Sequence, residues 1–181
     1  MKRSALNLVR GLSAIAIWAI AGAAHAQVVA LGANITAGTT VGERAAYPAR
    51  LESLLQSLGY NVQVTNAGVD GDTTAGMLAR LDNAVPDGTK VVILAAGEGI
   101  GNDQQTGETR SQANVDIDSM VSRLQARQIA VIPAAGAFAN ETSAGLSEHL
   151  QPDGVHLTAQ GQGLAAARLL PEVIDALRTS G

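Results

Sequence analysis

The chain has 181 residues, 12 Lys and Arg against 16 Asp and Glu, a formal net charge of −4 and no cysteine. That length builds one proper hydrophobic core and is short for two. The missing cysteine excludes a disulfide framework and a lipid attached through an N-terminal cysteine. An acidic balance without a basic patch makes nucleic acid and anionic membrane surfaces poor partners.

The first segment reads as an export signal. Lys2, Arg3 and Arg10 form a basic start, Leu12 to Ala24 is apolar, and "AHA" (Ala24-His25-Ala26) supplies small residues at −3 and −1 of a cleavage site. No Asp, Glu, Lys or Arg occurs between Arg10 and Glu43, which also suits an uncleaved anchor. The apolar run is nevertheless short for a span of about 20 residues and is interrupted by Gly22 and His25. The expectation is cleavage after Ala26, a bacterial periplasmic or secreted protein with no stable membrane anchor, and one domain over residues 27–181. Removing three of the 12 basic residues leaves nine against 16 acidic ones. Trp18 leaves with the leader, so Tyr47, Tyr60 and Phe138 are the remaining aromatics, too few for a platform that stacks sugars or bases.

The predicted elements alternate. "QVVALG" is an aliphatic strand. A helix follows with Pro48 in its first turn, Leu51, Leu54, Leu55 and Leu58 at helical spacing, and Gly59 as its stop. "NVQVTN" is a second strand. Thr73 or Thr74 caps a helix whose apolar face is Met77, Leu78, Leu81 and Val85. "KVVILAA" is a continuous apolar run, as a strand buried on both faces requires. The segment "GEGIGNDQQTG" reads as a glycine-rich loop, and a long helix presents Ile117, Met120, Val121 and Leu124. "IAVIPAA" is a fourth strand. Residues 136–154 read mostly as loop, with one short helix near "SAGLSEHL". A last helix runs from about Ala159 to Arg178, capped by Thr158 and kinked or divided at Pro171.

Strand–helix alternation throughout predicts an α/β fold, a doubly wound parallel sheet of four to five strands with helices on both faces. Ligands bind such sheets beyond the carboxyl ends of the strands. That rule nominates the segments 33–42, 67–73 and 97–107.

The chemistry-bearing residues lie in those segments and in the tail "PDGVHLTAQGQ". A histidine three residues after an aspartate, as in Asp153 and His156, can be held in one tautomer and serve as a base. Taken alone, the pair reads equally well as a surface-loop histidine beside an aspartate at accidental spacing. Gly71 permits a positive φ after a strand, and Asp70 and Asp72 beside it suit turn-making and capping. His149 has no such company. Glu98, Asp103, Asp153 and His156 show no metal-ligand spacing, so neither a metal nor a cofactor is expected.

Together, "VVALGANITAG", "VTNAGVDGDTTAGMLARL", "VVILAAGEG" and "DGVHLTAQG" resemble blocks I, II, III and V of the SGNH (GDSL-type) hydrolases. These are secreted or periplasmic esterases, thioesterases and lysophospholipases with a flavodoxin-like three-layer sandwich. The likeness runs from Val28 to Arg178 in block order and spacing. It implies a nucleophilic serine in block I, where this chain carries Asn34 between Gly32 and Thr36-Ala37-Gly38. It implies an oxyanion N–H from Gly71 and a base formed by Asp153 and His156. The oxyanion asparagine of block III falls on Gly99 without a gap, or on Asn102 after a three-residue slip through "GND".

An amide is no useful nucleophile. The resemblance therefore implies an exported SGNH-type protein, related to small-ester esterases and thioesterases, that is catalytically degenerate through Asn34 and Gly99. It would retain a pocket for a small acyl ester or an anionic small molecule. The alternative is an active acyl hydrolase using His156-activated water or a substitute hydroxyl such as Thr36. A nucleotide or flavin binder is disfavoured, because the first loop lacks G-x-G-x-x-G.

Overall fold

The computed structural model describes residues 28–138 and 149–180. The leader expected at residues 1–26 lies outside them, as does most of the short helix expected near "SAGLSEHL". Among the described residues no helix is long and apolar enough to cross a membrane.

Four strands form one parallel sheet: β1 (Val28–Gly32), β2 (Val64–Gly68), β3 (Val91–Leu94) and β4 (Ala130–Pro133), in the order β2-β1-β3-β4. The register pairs Val28 with Val64 on one side and with Val91 on the other. Alternation along the strands divides the core. Val28, Ala30, Val91 and Ile93 face α2 (Tyr47–Ser57) and the C-terminal helix; Val29, Leu31, Val92 and Leu94 face the opposite helices. Both faces are covered, which is why β1 and β3 read as unbroken apolar runs.

The opposite layer holds α3 (Thr74–Ala79), α4 (Leu81–Ala84) and α6 (Arg110–Ala126), with Met77, Leu81, Met120 and Leu124 fully buried. The single helix expected after β2 is thus two short pieces meeting at Arg80. Thr73 is the cap, its hydroxyl accepting from the Gly76 N–H, while Thr74 is buried. Thr158 likewise caps the last helix by accepting from Gly161 N–H.

Two expectations are corrected. The segment read as a glycine-rich loop is the helix α5 (Ala96–Thr106). Glycine lowers helix propensity, but tertiary packing overrides it where a side chain would not fit. A Cβ on Gly99 would stand 2.9 Å from the Thr74 nitrogen and 3.1 Å from the Thr73 carbonyl carbon. The last helix, numbered α8 after the short turn α7 (Ala135–Phe138), runs undivided from Ala159 to Thr179 with Pro171 inside it. Pro171 and Ala167, whose carbonyl loses its donor, both lie on the exposed face of the helix, where a carbonyl is open to solvent. Leu169 and Val173 hold the two halves against the core.

Strand order reverses between β1 and β3, so the segments leaving their carboxyl ends open onto one crevice. That crevice contains the site.

Candidate functional site

The turn after β1 is the short helix α1 (Asn34–Ala37), closed by Gly38 in the left-handed region at φ 78°. It presents Asn34 at its start. The Gly71 N–H donates to Asn34 Oδ1 at 2.8 Å, from a residue held at φ +73°. A backbone N–H can only donate, so this contact settles which atom of the amide is oxygen. Asn34 Nδ2 therefore points the other way, 3.3 Å from His156 Nε2.

The rest of the chain of bonds follows. Nδ2 is a donor, so Nε2 is the acceptor and the ring proton sits on Nδ1. Nδ1–H then donates to Asp153 Oδ2 at 2.8 Å. Asp153 Oδ1 accepts the N–H groups of Val155 and His156, both at 2.9 Å. Hydrogen bonds from the His156 and Val155 N–H groups and from the imidazole hold the Asp153 carboxyl down at about 2. The turn carrying this pair is fastened by a bridge between Leu150 and Leu157 and by Gln151, which bonds Thr40 in the β1 turn and the Leu157 carbonyl.

Of the two third-block candidates, the structure brings Asn102 to the cleft. Its Nδ2 lies 3.4 Å from Asn34 Oδ1 and donates to the Asp72 carbonyl at 2.7 Å. Gly99 does not reach the cleft. It is buried against Thr73 and Thr74 in the wall behind it. An amide donor from α5 therefore stands at the cleft, where Gly99 supplies none. Helical spacing of i and i+4 places Glu98 and Asn102 on one face of α5.

Glu98 is the residue that sequence reasoning discounted. Its Oε2 accepts from the N–H groups of Ala33 and Ile35 at 2.9 Å and of Thr36 at 3.2 Å, while Oε1 accepts the Thr36 hydroxyl at 2.6 Å. One carboxylate thus gathers the donors at the start of α1 and holds the turn that displays Asn34. Burial pushes the Glu98 carboxyl up to about 7, against the pull of the bonds from Thr36, Ala33 and Ile35. Behind it, the Tyr47 phenol lies 3.2 Å from the Thr36 hydroxyl, and burial with the nearby Glu98 raises it above its ordinary range. Thr36 is fully buried between these groups, which removes it as a substitute nucleophile. The signal for Glu98 was its place four residues before Asn102 on a helix, invisible while the segment was read as loop.

Gln162 and Arg80 complete the support. Buried Gln162 on α8 accepts the Tyr47 N–H at 2.8 Å and donates to the Ile35 carbonyl at 3.0 Å. Arg80 pairs with Asp72 at 2.7 Å and donates to the Gly32 carbonyl at 3.1 Å. His149 stands apart, contributing its carbonyl to the Thr158 N–H. Among the described residues no group of three or more His, Cys, Asp or Glu side chains is arranged to hold a metal.

The cleft that Asn34, Asn102, Asp153 and His156 line has a volume of about 380 Å³. Beside it, a recess of about 420 Å³ is lined by Ile35, Phe138, Leu150 and Leu157 among others, and the two share Ile35, Glu98, Gly101 and Val155. Chemically, the cleft combines a donor pair, an oriented base and an amide bonded to both.

Known proteins share this arrangement of chain. The chain is 30% identical over 111 residues to esterase TesA of Pseudomonas aeruginosa, a match covering 61% of this chain and 54%, about half, of that protein. The SGNH-hydrolase family esterase AlinE4 superposes with a TM-score of 0.56 at 26% identity, over 83% of this chain and 95% of that one. The psychrotrophic esterase EstA of Pseudoalteromonas sp. reaches 0.63 at 16% identity, over 84% and 96%, a likeness of fold. Residues 30–144, more than half the chain, match the family model described as GDSL-like lipase/acylhydrolase, and the chain belongs to that family.

Proposed function

We propose that this protein is an exported member of the family that binds a small acyl ester or anionic molecule without running the serine acyl-enzyme mechanism. One observation carries the reading: the side chain at the nucleophile position is an amide, bonded through oxygen to Gly71 N–H and through nitrogen to His156 Nε2. Covalent catalysis needs a hydroxyl or thiol beside a base. Asn34 supplies neither, and the Thr36 hydroxyl is committed to Glu98.

Ligand binding is supported by what remains. A carboxylate or ester carbonyl that displaces the Asn34 amide meets the Gly71 N–H and the Asn102 amide, and the adjoining recess around Ile35 and Phe138 suits a short apolar chain. These donors are also what an esterase uses to stabilise an oxyanion. They explain how a binding pocket and an esterase site share one geometry.

The test uses two readouts on the purified protein. A fluorophosphonate probe is expected to leave the protein unlabelled, and p-nitrophenyl acetate to be hydrolysed no faster than by His156→Ala. Short carboxylates are expected to raise the melting temperature of wild type more than that of Asn102→Ala. A stoichiometric adduct on any serine or threonine, or ester turnover dependent on His156, would establish the active acyl hydrolase instead.

A further inference from the structure

The Asn34 side chain is itself an acyl compound, and the site surrounds it as it would a substrate. Gly71 N–H and Asn102 Nδ2 both approach Oδ1, so negative charge developing on that oxygen meets two donors already in place. On the other side of Cγ, the amide nitrogen lies 3.3 Å from His156 Nε2, and Asp153 orients that ring. Water has access, since Asn34 is itself only half-buried and lines the open cleft beside His156.

We propose that Asn34 is a self-processing site, at which the pocket hydrolyses its own side-chain amide and leaves an aspartate at position 34. The inference rests on the same reading of the pocket, as an intact donor pair and base without a serine. A water oxygen attacks Cγ while His156 Nε2 takes its proton, and the carbonyl π pair moves onto Oδ1 beneath the donors. The pair then returns, the Cγ–Nδ2 bond breaks with its electrons going to nitrogen, and His156 passes its proton to that nitrogen. Ammonia leaves. The acid left behind ionises and its proton reaches the ammonia through solvent, so one amide and one water give one carboxylate and one ammonium.

This route differs from spontaneous deamidation, in which the following backbone nitrogen attacks Cγ and forms a cyclic imide. Here the Ile35 N–H is bound to Glu98 Oε2 at 2.9 Å inside α1, which commits that nitrogen elsewhere. Direct attack by water yields only the ordinary α-linked aspartate. An imide opens to a mixture containing isoaspartate.

The experiment incubates the purified full chain at neutral pH in ¹⁸O-labelled water and follows the tryptic peptide ending at Arg44, where Asn34 is the only asparagine. The expected result is loss of the amide at position 34 with one ¹⁸O gained and no isoaspartate. It should run at least about 10-fold faster than at exposed Asn61 and Asn83. His156→Ala should slow it by about 10²-fold, the scale of general acid–base catalysis. Asp153→Asn, checked for folding by circular dichroism, serves if that variant does not fold. An amide that persists in wild type, an equal rate in the variants, or isoaspartate at position 34 overturns the proposal. Because the readout is mass, persistence of the amide with ligand-induced stabilisation would sink this inference and leave the binding reading standing.

Discussion

Asn34 Nδ2 lies 3.3 Å from His156 Nε2 while Asn34 Oδ1 accepts the Gly71 N–H, so one side chain joins the imidazole to the Gly71 backbone. Replacing it by serine frees both and puts a hydroxyl on the same turn. Asn34→Ser is expected to create weak activity on p-nitrophenyl acetate. Adding Asn102→Ala should lower kcat/KM by about 10²–10³-fold, as loss of an oxyanion donor does. His156→Ala should remove most of the gain, because base and nucleophile act as a unit. A folded Asn34→Ser protein as inactive as wild type would show that the turn no longer aims at His156.

Gly99→Asn, the replacement an ungapped alignment suggests, is expected to damage the protein rather than the chemistry. The new Cβ would meet backbone of Thr74 and Thr73 at 2.9 and 3.1 Å, and backbone cannot swing aside. Overpacking of this kind costs about 1–3 kcal/mol. Thermal unfolding should show a clear drop in Tm. Esterase activity gained on adding Gly99→Asn to Asn34→Ser would contradict the placement of Asn102.

Glu98 makes stability depend on pH with a definite sign. Its folded-state value, about 7, lies above the ordinary 4.5. Between those values the native state binds more protons than the unfolded one. Stability from this group is therefore full below about 4.5 and lost as pH rises to about 7. Glu98→Gln keeps an oxygen for the three N–H groups, so it should flatten that portion of a denaturation-against-pH curve. Glu98→Leu leaves those donors without an acceptor and should cost several kcal/mol, since each buried unsatisfied group costs about 1–3. An unchanged pH profile in Glu98→Gln would remove Glu98 as its source.

Thr36→Val tests the assignment of Thr36 to structure. Its hydroxyl donates to Glu98 and meets Tyr47, so the valine variant should lose about 1–3 kcal/mol in urea unfolding. In the Asn34→Ser background the activity of the remaining folded protein should persist. Abolished activity with unchanged stability would return Thr36 to the candidate nucleophiles.

The sequence by itself determined the sheet and nominated most of the residues that the structure gathers at the cleft. Alternation of strand and helix with apolar runs such as "KVVILAA" allows few solutions other than a covered parallel sheet, and the switch-point rule then locates the crevice. Asn34 is legible as a departure because the block around it is local in sequence. Asp153 and His156 can meet on one turn without help from the rest of the chain, but they are legible as a pair only beside the other blocks.

Only the tertiary structure showed that Asn102 lines the cleft and Gly99 packs behind it. Composition made "GEGIGNDQQTG" look like loop, whereas close packing of Gly99 on the Thr73–Thr74 backbone makes a helix of it and turns Glu98 and Asn102 to one side. Glu98 was beyond local reading for the same reason. Its partners are more than 60 residues away in sequence, and a carboxylate acquires its role from the N–H groups that long-range packing brings to it. The two-sided bonding of the Asn34 amide likewise needs Gly71 and His156 at once, from segments that only the folded sheet brings together.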